Sequence, residues 1–309
     1  MVSAILGLVV PAILGVMAGI WRLFSHPKTV VENLNTYALY FAFPALVARG
    51  LARADFVFPA EPGFWLLVPL VFGSSVAMVR LFWPRHSGTL ALCLAFGNVA
   101  YLGLPLVERV LPERVFPLAS LVVAVHIVIG VSLGPLLLLR WSGRESSVSD
   151  SLRRLGKQPL LWAPVAGLSS HLLPPTWQGA LLDLVTPLGA SAAPVALFLL
   201  GFYIHSHRRE LSRIDVYDAL HVGAKLLLLP SLTVSVAWGA SQQGWITGDQ
   251  AKVFVLLSAM PAAITTFALS QELGVGQTRT SRVIVVSTLC SVLTLPLMAV
   301  TAVSIPWVR

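Results

Sequence analysis

Long apolar runs, interrupted by charged, Gly/Pro-rich or Ser-rich stretches, set the plan of this chain. Division at those breaks gives ten candidate spans: Ser3 to Phe24, Thr29 to Ala52, Gly63 to Trp83, Ser87 to Val110, Val115 to Leu139, Pro159 to Leu173, Trp177 to Ile204, Tyr217 to Trp238, Asp249 to Glu272 and Thr278 to Ala302. A helix crossing about 30 Å of hydrocarbon needs roughly 20 apolar residues, and most of these runs reach that length. The connections are short and leave no room for a sizeable soluble domain. The first run reads as a span rather than a signal peptide, because no cationic segment precedes it and no small-residue cleavage site stands out after it.

Composition sharpens this picture. Of 309 residues, 56% are hydrophobic and 11% charged, with a mean hydropathy of +0.82, against roughly 25% charged in a typical soluble protein. An ordinary soluble enzyme is excluded, and the class expected is an all-α integral membrane protein. The net charge of +8 would suggest nucleic acid as partner of a soluble protein, but among membrane spans it reports loop orientation, and no nucleic acid partner is expected. The odd-to-even connections hold Arg22, Lys28, Arg80, Arg85, Arg140, Arg144, Arg153, Arg154, Lys157, Arg208, Arg209, Arg213, Arg279 and Arg282. The opposite side holds only Arg49, Arg53, Arg109, Arg114, Lys252 and Arg309. Cytoplasmic loops are the enriched ones, so both termini are expected outside.

The most polar stretch, 140–158, contains Ser146, Ser147, Ser149 and Ser151 and no apolar periodicity. It reads as a cytoplasmic linker dividing the chain into residues 1–139 and 159–309, with five helices each. An odd number per half makes the halves enter the membrane from opposite sides, so homologous halves form an inverted repeat. Proline positions support the homology: Pro11 with Pro164, Pro44 with Pro194, Pro69 with Pro230, Pro105 with Pro261 and Pro135 with Pro296.

Interior prolines remove a backbone donor and clash with the preceding turn, and in lipid the freed groups must face protein or a wet cavity. In the fourth span Gly97, Asn98, Gly103 and Pro105 fall within nine residues, poor material for a continuous helix. In the ninth, Ser258 to Thr266 place small residues, Thr265 and Thr266 around Pro261. Two interrupted helices at matching places predict a crossing, with half-helix N-termini and free amides attracting an anion.

These residues resemble the auxin efflux carrier family, including its bacterial members. Asn98, Gly103 and Pro105 match its Asn-x-x-x-x-Gly-x-Pro stretch, Asn35 to Pro44 resembles its second helix, and Ala193 to Gly201 its seventh. Lys225 to Pro230, and Met260-Pro261 through Gln271 to Val275, resemble its eighth and ninth. The resemblance implies ten transmembrane helices in two inverted five-helix repeats, with broken, crossing helices 4 and 9, as in bile-acid symporters and sodium/proton antiporters. It further implies a scaffold domain from helices 1, 2, 6 and 7, a transport domain from helices 3–5 and 8–10, a homodimer, a bacterial inner membrane and a carboxylate substrate. Asn98 corresponds to the family's substrate-contacting asparagine.

No Asp or Glu lies near the middle of any span, whereas sodium/proton antiporters use midmembrane carboxylates. The basic candidates there are Lys225, which either snorkels or balances charge, and His126, an imidazole able to carry a proton. Cys93 and Cys290 lie within apolar runs, so neither a disulfide nor a metal site is expected. No HExxH, GxSxG, P-loop or paired intramembrane aspartates are present, which argues against an enzyme, and no cofactor is expected. The expected function is export of a small organic anion by elevator-type alternating access, driven by membrane potential at about 2.3 kcal/mol per charge per 100 mV. A sodium- or proton-coupled anion symporter and a ligand sensor without translocation are the alternatives. The expected binding residues are Gly97, Asn98, Tyr101, Gly103, Pro105, Pro261, Thr265 and Thr266, with Tyr101 as an apolar wall.

Overall fold

The computed structural model describes residues 2–53, 59, 61–82, 87–141, 156–157, 159–209, 214–273 and 276–307. The linker core, 142–155, lies outside the described residues. Each of the ten apolar runs is helical. The first three are α1 (Val2–Ile20), α2 (Pro27–Tyr37) continuing into α3 (Phe43–Arg53), and α4 (Pro62–Phe82). The fourth run comprises α5 (Ser87–Ala95) and α6 (Leu104–Val110), and the fifth is α7 (Phe116–Trp141). The sixth and seventh are α8 (Pro159–Ser169) and α9 (Pro175–Ser206). The eighth comprises α10 (Val216–Gly223) and α11 (Leu229–Gln242), the ninth α12 (Gly248–Ser258) and α13 (Ile264–Leu273), and the tenth α14 (Gln277–Ser304).

Five stretches among the described residues are long and apolar enough to cross a membrane: Pro62–Phe82, Glu113–Gly134, Pro175–Ser206, Val216–Gln242 and Gln277–Ser304. By contrast, the 11 residues of α8 rise only about 16 Å, half the hydrocarbon thickness. Leucines stand open on several helices, with Leu81 73% and Leu293 80% exposed. Apolar surface of this extent suits lipid rather than water.

Three prolines are accommodated in one way that hydropathy does not foretell. π-Helical turns span Ala38–Ala42, Val99–Gly103 and Ala224–Leu228, each ending two residues before a proline: Pro44, Pro105 and Pro230. In two of them the residue preceding the proline bonds five residues back, Phe43 to the Ala38 carbonyl and Leu229 to the Ala224 carbonyl. The wider turn relieves the clash that a proline ring makes with the carbonyl four residues earlier. Pro11, Pro69, Pro164, Pro187, Pro194 and Pro296 instead lie inside α-helices.

The chain forms two compact units. The first comprises 1–57, 100–127 and 155–206, so α1, α2, α3, α6, α8 and α9 belong to it with the start of α7. Here α1 packs along α9 through reciprocal glycines: Gly15 faces the Phe198 carbonyl, and Gly201 faces the Ala12 carbonyl. A methyl group at either glycine would fall inside the radius of that oxygen, so the close approach requires both. Gly167 of α8 similarly abuts Ala48 of α3.

The second unit comprises 58–99, 128–154 and 207–309. It contains α4, α5 and α10 to α14, with α14 packed against α5, α10, α12 and α13. Its buried apolar cluster is formed by Phe72, Ala95, Phe96 and Ala263, with Val76 and Ile129 against it. That cluster surrounds the place where two helices break.

Candidate functional site

Helix α5 stops at Ala95 and α12 at Ser258, both inside the second unit. Beyond those ends the two backbones run antiparallel for a few residues. The Ala263 amide donates to the Phe96 carbonyl at 3.0 Å, the Asn98 amide to the Pro261 carbonyl at 2.7 Å, and Gly97 pairs with Ala262. Pro261 has no N–H, so its carbonyl enters this exchange without a matching donor to satisfy. The Ala262 amide is capped by Ser287 Oγ of α14 at 3.2 Å. Two broken helices thus satisfy several of each other's freed groups.

Three of the amides at the crossing therefore already have protein partners. The amides of Asn98, Ala262 and Ala263 are spent on the crossing itself. Thr266 is spent too: its amide and its hydroxyl both donate to the Ala263 carbonyl, at 3.1 and 2.6 Å, while Thr265 is half-buried. The conspicuous unspent group is the Asn98 side chain. It is 1% exposed, and neither Oδ1 nor Nδ2 has a hydrogen-bond partner. A buried primary amide leaves two donors and an acceptor unused at considerable cost.

Lys225 approaches the preceding residue, Gly97. It belongs to the π-turn Ala224–Leu228 and is 1% exposed, so it does not snorkel to the surface. Its Nζ donates to the Leu94 carbonyl at 2.8 Å, and a methyl group on Gly97 would lie only 3.3 Å from that Nζ. A side chain at Gly97 would therefore crowd the ammonium.

The expected eight-residue constellation divides between the units. Gly97, Asn98, Pro261, Thr265 and Thr266 share the second unit with Lys225, whereas Tyr101, Gly103, Pro105 and His126 belong to the first. The chain changes unit between Val99 and Ala100, within a π-turn. Tyr101 donates its hydroxyl to Asn35 Oδ1 at 2.5 Å and lays its ring against Phe43 at 4.7 Å between centroids. Gly103 closes the π-turn, and Pro105 opens α6. In the first unit Pro105 also lines a half-open cavity of about 420 Å³ with Pro11, Leu46, Arg49, Glu108 and Leu197, where Arg49 and Glu108 pair at 2.7 Å. His126 is half-buried.

Sequence reasoning missed two features. Ser287 has no local signal, since a serine on an apolar helix is unremarkable until its partner is known. The other is a charge cluster at the starts of α10 and α14. Asp218 is fully buried, with Oδ1 3.0 Å from Arg279 Nε and Oδ2 2.8 Å from Arg282 Nε, while Asp215 Oδ2 meets Arg279 Nη2 at 2.5 Å. Partial burial raises the Asp215 carboxyl, but hydrogen bonds from the Asp218 amide and the Arg279 guanidinium, with the charges of Arg279 and Arg282, hold it below the usual carboxylate range. Asp215 and Asp218 form a reciprocal capping box for α10, a spacing that was visible in the sequence. Among the described residues, no group of three or more His, Cys, Asp or Glu is placed to hold a metal.

Residues 1–299 match the family described as membrane transport protein. The chain is 30% identical to a protein of Rhizobium meliloti (strain 1021) named "Putative malonate transporter", over 88% of this chain and 87% of that one. It is 26% identical to an "Uncharacterized transporter" of Methanothermobacter thermautotrophicus, over 87% of this chain and 88% of the relative. It is also 24% identical to the "Uncharacterized transporter YfdV" of Escherichia coli (strain K12), over 96% of each.

Proposed function

The chain belongs to the membrane transport protein family, that of the auxin efflux carriers, and from that premise we propose that it exports a small organic carboxylate, malonate or a similar dicarboxylate, by alternating access. The observation that carries this reading is Asn98: a buried amide with both polar atoms unpartnered, at the crossing of two interrupted helices. An amide N–H donates well to a carboxylate oxygen, and the ammonium of Lys225 on the far side of Gly97 gives the locality positive charge. The malonate named for the Rhizobium relative fits a site with one amide and one cation.

In this reading helices 1, 2, 6 and 7 form a scaffold and helices 3–5 and 8–10 carry the anion, with ten spans in two inverted repeats. The protein works as a homodimer in a bacterial inner membrane, both termini outside. Membrane potential, negative inside, supplies the force: about 2.3 kcal/mol per charge per 100 mV is roughly a 50-fold accumulation ratio without any coupled ion.

The test is counterflow of labelled malonate in proteoliposomes. The native protein is expected to exchange malonate, and Asn98→Ala to bind it about 10- to 150-fold more weakly, the equivalent of one hydrogen bond to a charged group. Binding of malonate without counterflow would favour the sensor reading. Unchanged exchange by Asn98→Ala would remove the assignment of this residue.

A further inference from the structure

Carriers built on broken helices commonly hold their coupling cation with unwound carbonyls and with the C-terminal ends of half-helices. Such an end carries roughly half a negative charge, because its last carbonyls lack intrahelical donors. Helix α5 offers such an end at Ala95, and its Leu94 carbonyl accepts from Lys225 Nζ at 2.8 Å. Helix α12 brings a second C-terminal end, closing at Ser258 just before the strand-like Met260 to Ala263.

We propose that Lys225 is a resident counter-cation, its ammonium taking the carbonyl position that a metal cation would otherwise occupy, so that the protein loads its anion without sodium. The proposal rests on the carboxylate-carrier reading above. Three observations converge on it. The ammonium is 1% exposed, and among the described residues no carboxylate forms an ion pair with it. An ammonium has three donors, and Leu94 takes one of them. A methyl group on Gly97, next in the chain to the unpartnered Asn98 amide, would lie only 3.3 Å from the same ammonium. A buried positive charge at the carbonyl end of α5, one residue along the chain from unused amide donors, suits a carboxylate and is unfavourable for a second cation.

The experiment uses proteoliposomes loaded with malonate, the voltage set by potassium and valinomycin, and sodium fully replaced by choline. The native protein is expected to keep its initial rate within about twofold in choline. Lys225→Met is expected to lose at least tenfold, and Lys225→Arg, which keeps the charge, to recover a third or more of the native rate. Where Lys225→Met does not purify as a folded species, Gly97→Ala, which crowds the ammonium without removing it, is expected to slow exchange. A native rate that collapses without sodium, or a Lys225→Met or Gly97→Ala protein exchanging at the native rate, overturns the inference and leaves the carrier reading intact. Absence of malonate exchange by the native protein in both media overturns the two together.

Discussion

Ser287→Ala removes the group that closes the crossing of the two interrupted helices. Ser287 is fully buried; its Oγ accepts the Ala262 amide at 3.2 Å and donates to the Ile284 carbonyl at 3.2 Å. Loss of the second bond is minor, because it is an added bond to a carbonyl within a continuous helix. Loss of the first strands a fully buried amide in a non-helical segment. Interhelical side-chain bonds in membranes average only about 0.6 kcal/mol, since the groups find other partners when the bundle comes apart. That same fact enlarges the effect here. Once the crossing dissolves, the Ala262 amide is free to find a partner in a regular helix, so the stranding falls wholly on the native state and the appropriate figure is about 1–3 kcal/mol. At roughly 2–4 °C per kcal/mol for a chain of this order, the apparent Tm should fall by a few to about ten degrees. The assay is thermal unfolding in one detergent at one scan rate. Ser235→Ala serves as comparison: Ser235 is exposed and donates to the Ser231 carbonyl at 3.1 Å within α11, and should change stability by less than about 0.5 kcal/mol. Coincident unfolding of the two variants would refute the view that Ser287 caps a broken helix.

Other expectations concern packing and charge. Gly201→Val drives a branched side chain into the Ala12 carbonyl; such overpacking costs about 1–3 kcal/mol or more, so Tm should drop while Gly179→Val, which meets open space, should not move it by more than a degree or two. The Asp215 carboxyl is held below its usual pKa, so its contribution is present above the unfolded value of about 3.9 and is lost as pH falls through the lower, folded one. Asp215→Asn should therefore narrow the stability gap between neutral and acidic buffer, measured as Tm against pH from neutrality down to about pH 3. An identical pH profile in the variant would show that the carboxylate takes no part.

The ten apolar runs and the two broken places were legible along the chain, because hydropathy and proline content report directly on whether a segment prefers lipid and whether it can remain helical. Pro261, and Gly97 with Asn98, fall where the helices do break. What the breaks do with their amides was not legible. Whether an exposed N–H meets an anion or the opposite backbone depends on which segment crosses it, and Phe96–Ala263 and Asn98–Pro261 pair across a separation that no local pattern encodes. Tyr101 shows the same limit: three residues from Asn98, it spends its hydroxyl on Asn35, and its neighbours are fixed by a π-turn that periodicity cannot announce.

By itself, then, the amino-acid order determined the solvent of this protein, the number of its apolar helical segments, and the residues at which two of them could not continue. Only the tertiary structure decided that the backbone amides of Asn98, Ala262 and Ala263 are taken up at the crossing while the Asn98 side chain stays unpaired, and that Lys225 is buried against Leu94 rather than extended to the surface. The division has a physical cause. Transfer from water to lipid is a property of each segment alone, whereas satisfaction of a polar group is a property of a pair, and pairs exist only once the chain has been brought back on itself.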